Sequence, residues 1–331
     1  MNLFTPVPVP PPGFNIDYSD TIFSIGSCFA ENISLKLAEA GFRICSNPSG
    51  VLFNPVSTGN CILDLIDKKK FSAEALEYDG ALYFHNGFHG SFSSPDKEKC
   101  LEKIHESMMQ ASENFTKASI LIVTFGTSWV YMHRKSGAIV ANCHKQPAET
   151  FLRKRLEPGE IFSFWQEILH SLNALNPNLK IIFSISPVRH FKDGAFENQL
   201  SKAGLFIAVN QLLESNKNCF YFPAYEVMMD ELRDYRFYSS DMLHPSETAI
   251  EYIWEKFGEA YFSENTHKLT QKATAISRSL KHRPHHSNST AYAEFVKKLK
   301  QEVYVFEKEN PGADFSFSKK WLSGKNSPES D

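Results

Sequence analysis

The apolar positions of this chain follow two rhythms that alternate along its length. Five short runs rich in β-branched and aromatic residues, at 21–25, 42–45, 120–125, 180–185 and 219–222, are each bounded by Gly, Pro, Ser or Asn and read as strands. Between them apolar residues recur at helical spacing: Phe29, Ile33 and Leu37; Ile104 and Met108 with Phe115; Ile161, Phe164, Ile168 and Leu172; Leu205, Val209 and Leu212. A further helix is expected at 247–257. Several strands are apolar on both faces, and parallel strands need crossover connections that cover both faces of a sheet. The pattern predicts an α/β fold, a three-layer α/β/α sandwich around a five-stranded, mostly parallel sheet. In such sheets functional residues collect beyond the carboxyl ends of the strands, so chemistry is expected in the loops after the first, third and last strands.

The same pattern divides the chain into a Pro-rich N-terminal segment at 1–20, a main domain at 21–262 and a C-terminal helical extension at 263–331. A stretch at about 59–95, with Tyr78, Tyr83, Phe84, Phe88 and Phe92, reads as an insertion that covers the site. In the extension, polar and basic residues at 267–288 precede a helix with Phe295, Leu299, Val303 and Phe306 on one face. That face is expected to dock on the main domain, with partner binding or subunit linkage as the alternatives. The end, 324–331, is expected to be disordered.

Composition narrows the function classes. The chain has 331 residues, 42% hydrophobic and 22% charged, which suffices for a sizeable core. A formal net charge of −3 supplies no global attraction to nucleic acid or to an anionic membrane, and neither partner is expected. There is no apolar run long enough to span a bilayer and no basic, apolar leader. The six cysteines are scattered without a C-x-x-C pair, so the expectation is free thiols in the cytoplasm. No P-loop or G-x-G-x-x-G element is present, and no cofactor is expected.

Candidate chemistry lies at two places far apart in the chain. The first strand runs into Gly26, Ser27 and Cys28 ahead of a helix. Glycine permits a sharp turn, and a helix start offers unpaired N–H groups to a developing oxyanion. Read structurally, Gly26 only turns the chain, Ser27 caps the helix and Cys28 packs beneath it. The second place is Asp241-Met242-Leu243-His244-Pro245, just before the last helix of the main domain. There an aspartate can orient an imidazole that serves as base toward a nucleophile elsewhere. Alone, such a spacing equally suits a capping Asp beside a surface His.

Gly26-Ser27-Cys28-Phe29-Ala30 spells the signature of the GSCFA family, and the chain resembles that family from about residue 23 to 257. Residues 47–55, 125–131, 142–145 and 186–190 carry the likeness further. The family is similar to the SGNH/GDSL hydrolases, which implies a flavodoxin-like layout and an acyl-ester enzyme, esterase or acyltransferase, with a catalytic domain at 21–262. Gly-Asp-Ser of those enzymes, laid on Gly26-Ser27-Cys28, makes Cys28 the preferred nucleophile and Ser27 the runner-up. Asp-x-x-His-Pro matches Asp241 to Pro245 without a gap, giving Asp241 and His244 as the other members of a triad. The oxyanion glycine falls on Gly50. Gly-x-Asn-Asp falls on Gly126-Thr127-Ser128-Trp129, so Thr127 and Ser128 stand at the donor block, with Asn54 or Asn142 as compensating donors. A thiol nucleophile implies a thioester intermediate that passes its acyl group to water or to an alcohol. The implied substrate is a small O-acyl group, such as acetyl, on a carbohydrate-like molecule. The competing reading is a non-catalytic carbohydrate- or ligand-binding module that kept the pocket.

Weaker signals surround these. His85 and His89 are four apart, but Gly87 between them disfavours a helical metal pair, and no metal is expected; His89 is instead a candidate substrate contact. Asn142 and His144, beside Cys143, are candidate pocket residues, as are Trp129, Arg189 and His190. Arg189 and His190 suit an anionic or sugar-like ligand, or a plain surface ion pair. Trp165, Trp254 and Trp321 read as core or interface residues, and the basic stretch with His282, His285 and His286 as a solvated linker or a phosphate or carbohydrate contact.

Overall fold

The computed structural model describes residues 5–281 and 290–320. His282, His285, His286, Trp321 and the tail at 324–331 lie outside the described residues. Along the chain run β1 (Thr21–Gly26), α1 (Cys28–Glu39), β2 (Arg43–Ser46), α2 (Pro55–Ile66), β3 (Glu77–Tyr78), β4 (Tyr83–Phe84), α3 (Lys97–Phe115) and β5 (Ile120–Phe125). There follow β6 (Trp129–His133), β7 (Ile139–Val140), β8 (Phe151–Arg155), α4 (Pro158–Leu175), β9 (Lys180–Ile185), α5 (Gly194–Ser215) and β10 (Cys219–Phe222). The chain continues through α6 (Ala224–Glu226), α7 (Glu247–Tyr261), α8 (Glu264–Lys281), α9 (Thr290–Glu309) and α10 (Ser316–Lys319).

Five strands form one sheet in the order β10-β9-β5-β1-β2, and every neighbouring pair is parallel. The strand alternation explains the layers. In β5, Leu121, Val123 and Phe125 point into a core shared with α2, α3, α4 and α5, whereas Ile120 and Ile122 face a second core built with α1, α7 and the C-terminal helices. The order reverses direction between β1 and β5, the switch point where such sheets open a crevice at their carboxyl edge. The sheet is therefore wholly parallel rather than mostly so.

The extension docks on that second core. Leu299, Val303 and Phe306 of α9 are buried with Ala273 and Leu280 of α8 and with Phe315, while Phe295 at the start of the same stripe stays 39% exposed. Much of the span expected to be a polar linker is α8 itself. The N-terminal segment is also fastened: the Val7 N–H donates to Glu231 Oε1 at 2.5 Å, the Ile16 N–H to Tyr261 O at 2.7 Å, and the Tyr18 hydroxyl to Ala40 O at 2.7 Å.

Two departures bear on the site. Residues 59–66 belong to α2, where Gly59 lets the helix press on Ile168 and Phe164 of α4, so the aromatic stretch begins only after Ile66. Between β5 and α4 stands a three-stranded antiparallel sheet, β7-β6-β8, that the apolar pattern did not predict.

Candidate active site

The turn after β1 is clamped from three sides. Gly26 has φ +146°, and a Cβ there would lie 2.2 Å from Thr124 O, so only glycine lets β1 end this close to β5. Its N–H donates to Asn47 Oδ1 at 2.8 Å, and its carbonyl accepts from Leu52 N at 2.9 Å. Ser27 donates its N–H to Thr124 O at 3.2 Å and serves as N-cap of α1, yet its buried hydroxyl makes no cap bond and has no hydrogen-bond partner. Cys28, the first residue of α1, is partly exposed, with a free thiol. Burial pushes that thiol up; the Phe29 N–H, the Cys28 N–H and the charge of Lys202 pull it down, and Glu31 opposes them. The thiol thus sits at a helix start with two backbone donors turned to it.

Beneath it lies a residue that sequence reasoning passed over. Lys202 of α5 is 2% exposed, and its ammonium donates to Gly126 O at 2.7 Å and Ser186 O at 2.6 Å, tying the loops after β5 and β9 together. Burial pulls it down to about 7, while the Cys28 charge holds it up and Arg189 pushes it further down. The signal was present: Lys202 lies three and seven residues before Leu205 and Val209, on the apolar face of the helix, where a charge demands partners.

The other half of the site is a surface loop. His244 Nδ1 lies 2.6 Å from Asp241 Oδ2, and Asp241 Oδ1 accepts the Leu243 and His244 N–H groups at 2.9 and 3.0 Å. Those two backbone bonds, and then the imidazole, hold the Asp241 carboxyl down at about 2. The two side chains are 45% and 47% exposed. The loop reaches the sheet through the Arg189 N–H, which donates to Leu243 O at 3.4 Å. His190, next in the chain, is pushed down to about 4 by burial and by the charges of Lys202 and His244. Among the described residues no hydrogen bond joins the Cys28 thiol to His244.

Several expected oxyanion donors are otherwise engaged. The Gly50 N–H donates to Asn47 O at 2.8 Å within its turn. Ser128 is fully buried, its hydroxyl 3.2 Å and its N–H 2.8 Å from Ser201 Oγ. Thr127 Oγ1 is likewise paired with Ser201 and accepts the Trp129 N–H. Asn54 caps α2, its Oδ1 accepting from Ser57 N at 2.8 Å and its Nδ2 donating to Ser57 Oγ at 3.0 Å. The N–H groups at the start of α1 remain, because the first turn of a helix has no carbonyl to receive them.

The candidate pocket residues fall into two groups. His89 lies over Gly50, its backbone N–H donating to Ser49 O at 2.8 Å, and its charge is felt by Glu31 of α1. His144 is stacked on Phe84 at 4.4 Å, its N–H bonded to Asn142 Oδ1 at 2.8 Å, and it feels the charge of His89. Arg189 and His190 belong instead with the His244 loop. Trp129 is covered by the Arg153 guanidinium at 4.4 Å, and Arg153 is ion-paired with Asp193. Trp165 is core, and Trp254 packs on Phe257 and Phe262. Among the described residues no group of three or more His, Cys, Asp or Glu is placed to hold a metal ion, and no helix is long and apolar enough to cross a membrane.

A doubly wound parallel sheet, with a thiol, a buried lysine and an Asp–His pair beyond its carboxyl edge, defines the chain as an α/β protein with its candidate groups on that edge. The chain belongs to the GSCFA family: that family's model matches residues 21–257, and the model of the GSCFA domain protein C-terminal domain matches residues 273–325. Among solved structures the chain is similar to an acetyl xylan esterase (Est2A) from the rumen bacterium Butyrivibrio proteoclasticus, with a TM-score of 0.29 and 13% identity. The likeness covers 81% of this chain and 66% of that one, just under two thirds of its length. No curated protein matches the chain.

Proposed function

We propose that the protein is an acyl-ester enzyme, hydrolase or acyltransferase, in which Cys28 is the nucleophile, His244 the general base and Asp241 the group that orients it. The observation that carries this reading is the Asp241–His244 pair at 2.6 Å, whose carboxylate is locked by two backbone N–H groups so that His244 Nε2 is left to act. His244 takes the thiol proton as sulfur attacks the ester carbonyl, returns it to the departing alcohol, and leaves a thioester on Cys28. Water or an acceptor alcohol, deprotonated by His244, then releases the acyl group. The N–H groups opening α1 are the donors for the oxyanion, and Ser27 is the alternative nucleophile. The substrate we favour is a small O-acyl group, such as acetyl, on a carbohydrate-like molecule.

Hydrolysis of p-nitrophenyl acetate by the wild type, Cys28→Ala, Ser27→Ala and His244→Ala, with intact-mass detection of an acyl-enzyme, tests it. Loss of activity with His244 and one nucleophile supports the triad and identifies the attacking atom. The second reading, a non-catalytic ligand-binding module, has its own observation in the absence of a Cys28–His244 hydrogen bond; a wild type without activity or acyl-enzyme would favour it.

A further inference from the structure

The cations near the His244 loop are not equally neutralised. Arg153 is ion-paired with Asp193 through both terminal nitrogens, and Arg155 lies 3.6 Å from Glu197. Arg189 has no carboxylate partner among the described residues. Its guanidinium lies over the Phe191 ring at 4.8 Å, its Nε is buried without a hydrogen-bond partner, and its charge is felt by Tyr225, Tyr238 and Lys202. Lys202, the other cation here, bonds only to neutral carbonyls. Two basic side chains therefore lie at one corner of the carboxyl edge, neither with an ion-pair partner among the described residues.

Unpartnered polar atoms lie on the adjoining residues. Asn198 is 3% exposed, and its Oδ1 accepts the His190 N–H at 3.0 Å while its Nδ2 has no partner. His190 Nε2 is likewise buried and unpartnered. Buried polar groups in native proteins are nearly always satisfied. Arg153 and Arg155 also keep an unpartnered buried nitrogen, but each has a carboxylate. Arg189 has none, and the residue after it and that residue's partner Asn198 carry unpartnered atoms as well, which suits a missing ligand. A guanidinium and an amide NH2 have only hydrogens to give, and the group that suits them carries only acceptors and negative charge.

We infer that Arg189, Asn198 and His190 form a subsite for an oxyanion of the substrate, a carboxylate, phosphate or sulfate, held against the His244 loop. The inference rests on the acyl-ester reading of the adjacent site and adds the substrate class to it: an acylated molecule that carries an anionic group. Its position follows from the Arg189 N–H bonded to Leu243 O, one residue from His244.

The test is calorimetric titration of the full chain with sulfate, phosphate and acetate, each against chloride at constant ionic strength. At least one oxyanion is expected to bind saturably, about tenfold or more weakly to Arg189→Gln and with partial recovery in Arg189→Lys. The arm that binds most tightly identifies the oxyanion. Failure of all three to bind the wild type, or equal binding to Arg189→Gln, overturns the subsite. The readout needs no turnover. Arg189-dependent binding in a protein that shows neither ester hydrolysis nor an acyl-enzyme would leave the subsite standing and count against the enzyme reading, and His244-dependent hydrolysis without Arg189-dependent binding would do the reverse.

Discussion

The two halves of the site are built in opposite ways. The nucleophile turn is buried, and its backbone is clamped: Gly26 bonds to Asn47 and Leu52, Ser27 bonds to Thr124, and Gly26 has no room for a Cβ. The Asp241–His244 loop is exposed and is held mostly by itself, through the two N–H groups on Asp241 and the Ser239 N–H on His244 O at 2.8 Å. One half borrows the rigidity of the sheet; the other is a small self-sufficient turn, with Met242 at φ +60°, laid on the surface beside Arg189. On the proposed mechanism, position is thus fixed where the thiol attacks, while the base sits where a bound substrate can draw it in.

That contrast predicts a crossed pair of phenotypes. His244→Ala should lower acyl-ester turnover about a thousandfold, the scale of a general base, while leaving the thermal midpoint within about 2 °C because an exposed side chain carries little of the fold. Gly26→Ala should do the opposite first: positive-φ strain and overlap with the Thr124 carbonyl should cost on the order of 3 kcal/mol of stability by urea unfolding, with activity lost as a consequence. If His244→Ala unfolds the protein, or Gly26→Ala is neutral, the division of labour between the halves is refuted.

The same contrast tracks what the sequence made legible. The strands were readable as short apolar runs between turn residues, β1, β5 and β9 most clearly because both of their faces are buried, and Asp241 to His244 because an aspartate bonding to its own following backbone is a local event written in the spacing. The helix α8 was not readable: its buried face is made of Thr266, Thr270, Ala273 and Ser277, small or polar residues that mimic a linker. The sheet β7-β6-β8 was missed because two of its strands present no apolar run: β8 carries Arg153, Lys154 and Arg155, and β7 is two residues long. Oxyanion donors depend on where N–H groups point, and residue identity does not encode that; Gly50 looked suitable until its N–H proved to close its own turn.

Lys202 gives a smaller and pH-dependent effect. Its folded value of about 7 lies below the ordinary 10.5, so between those limits the unfolded chain holds a proton that the folded chain has shed. Stability from this group is therefore least below pH 7 and rises as pH climbs toward 10.5. From pH 7 to 9 the gain should be about 2 kcal/mol. Buried thiols such as Cys61, raised to about 12, act in the other direction once the unfolded thiols ionise above about 9. The informative quantity is the difference between wild type and Lys202→Met in urea unfolding at pH 7, 8 and 9: the variant should lack the rising contribution, and parallel profiles would mean that the ammonium stays protonated under the nucleophile turn throughout.

The smallest effect should come from Ser128, and it separates a packed edge from a reactive one. By its place in the family block this side chain ought to hold the oxyanion, yet its hydroxyl is fully buried against Ser201 Oγ and faces α5. Ser128→Ala removes one buried hydrogen bond and leaves Ser201 still paired with Thr127 Oγ1 at 3.0 Å and with the Ser128 N–H. The expected cost is about 1 kcal/mol of stability, with kcat/KM for p-nitrophenyl acetate within about twofold of wild type. A loss of a hundredfold at unchanged stability would be the signature of an oxyanion donor. It would require Ser128 to leave Ser201 when substrate binds, and the nucleophile half would then be as adjustable as the His244 loop.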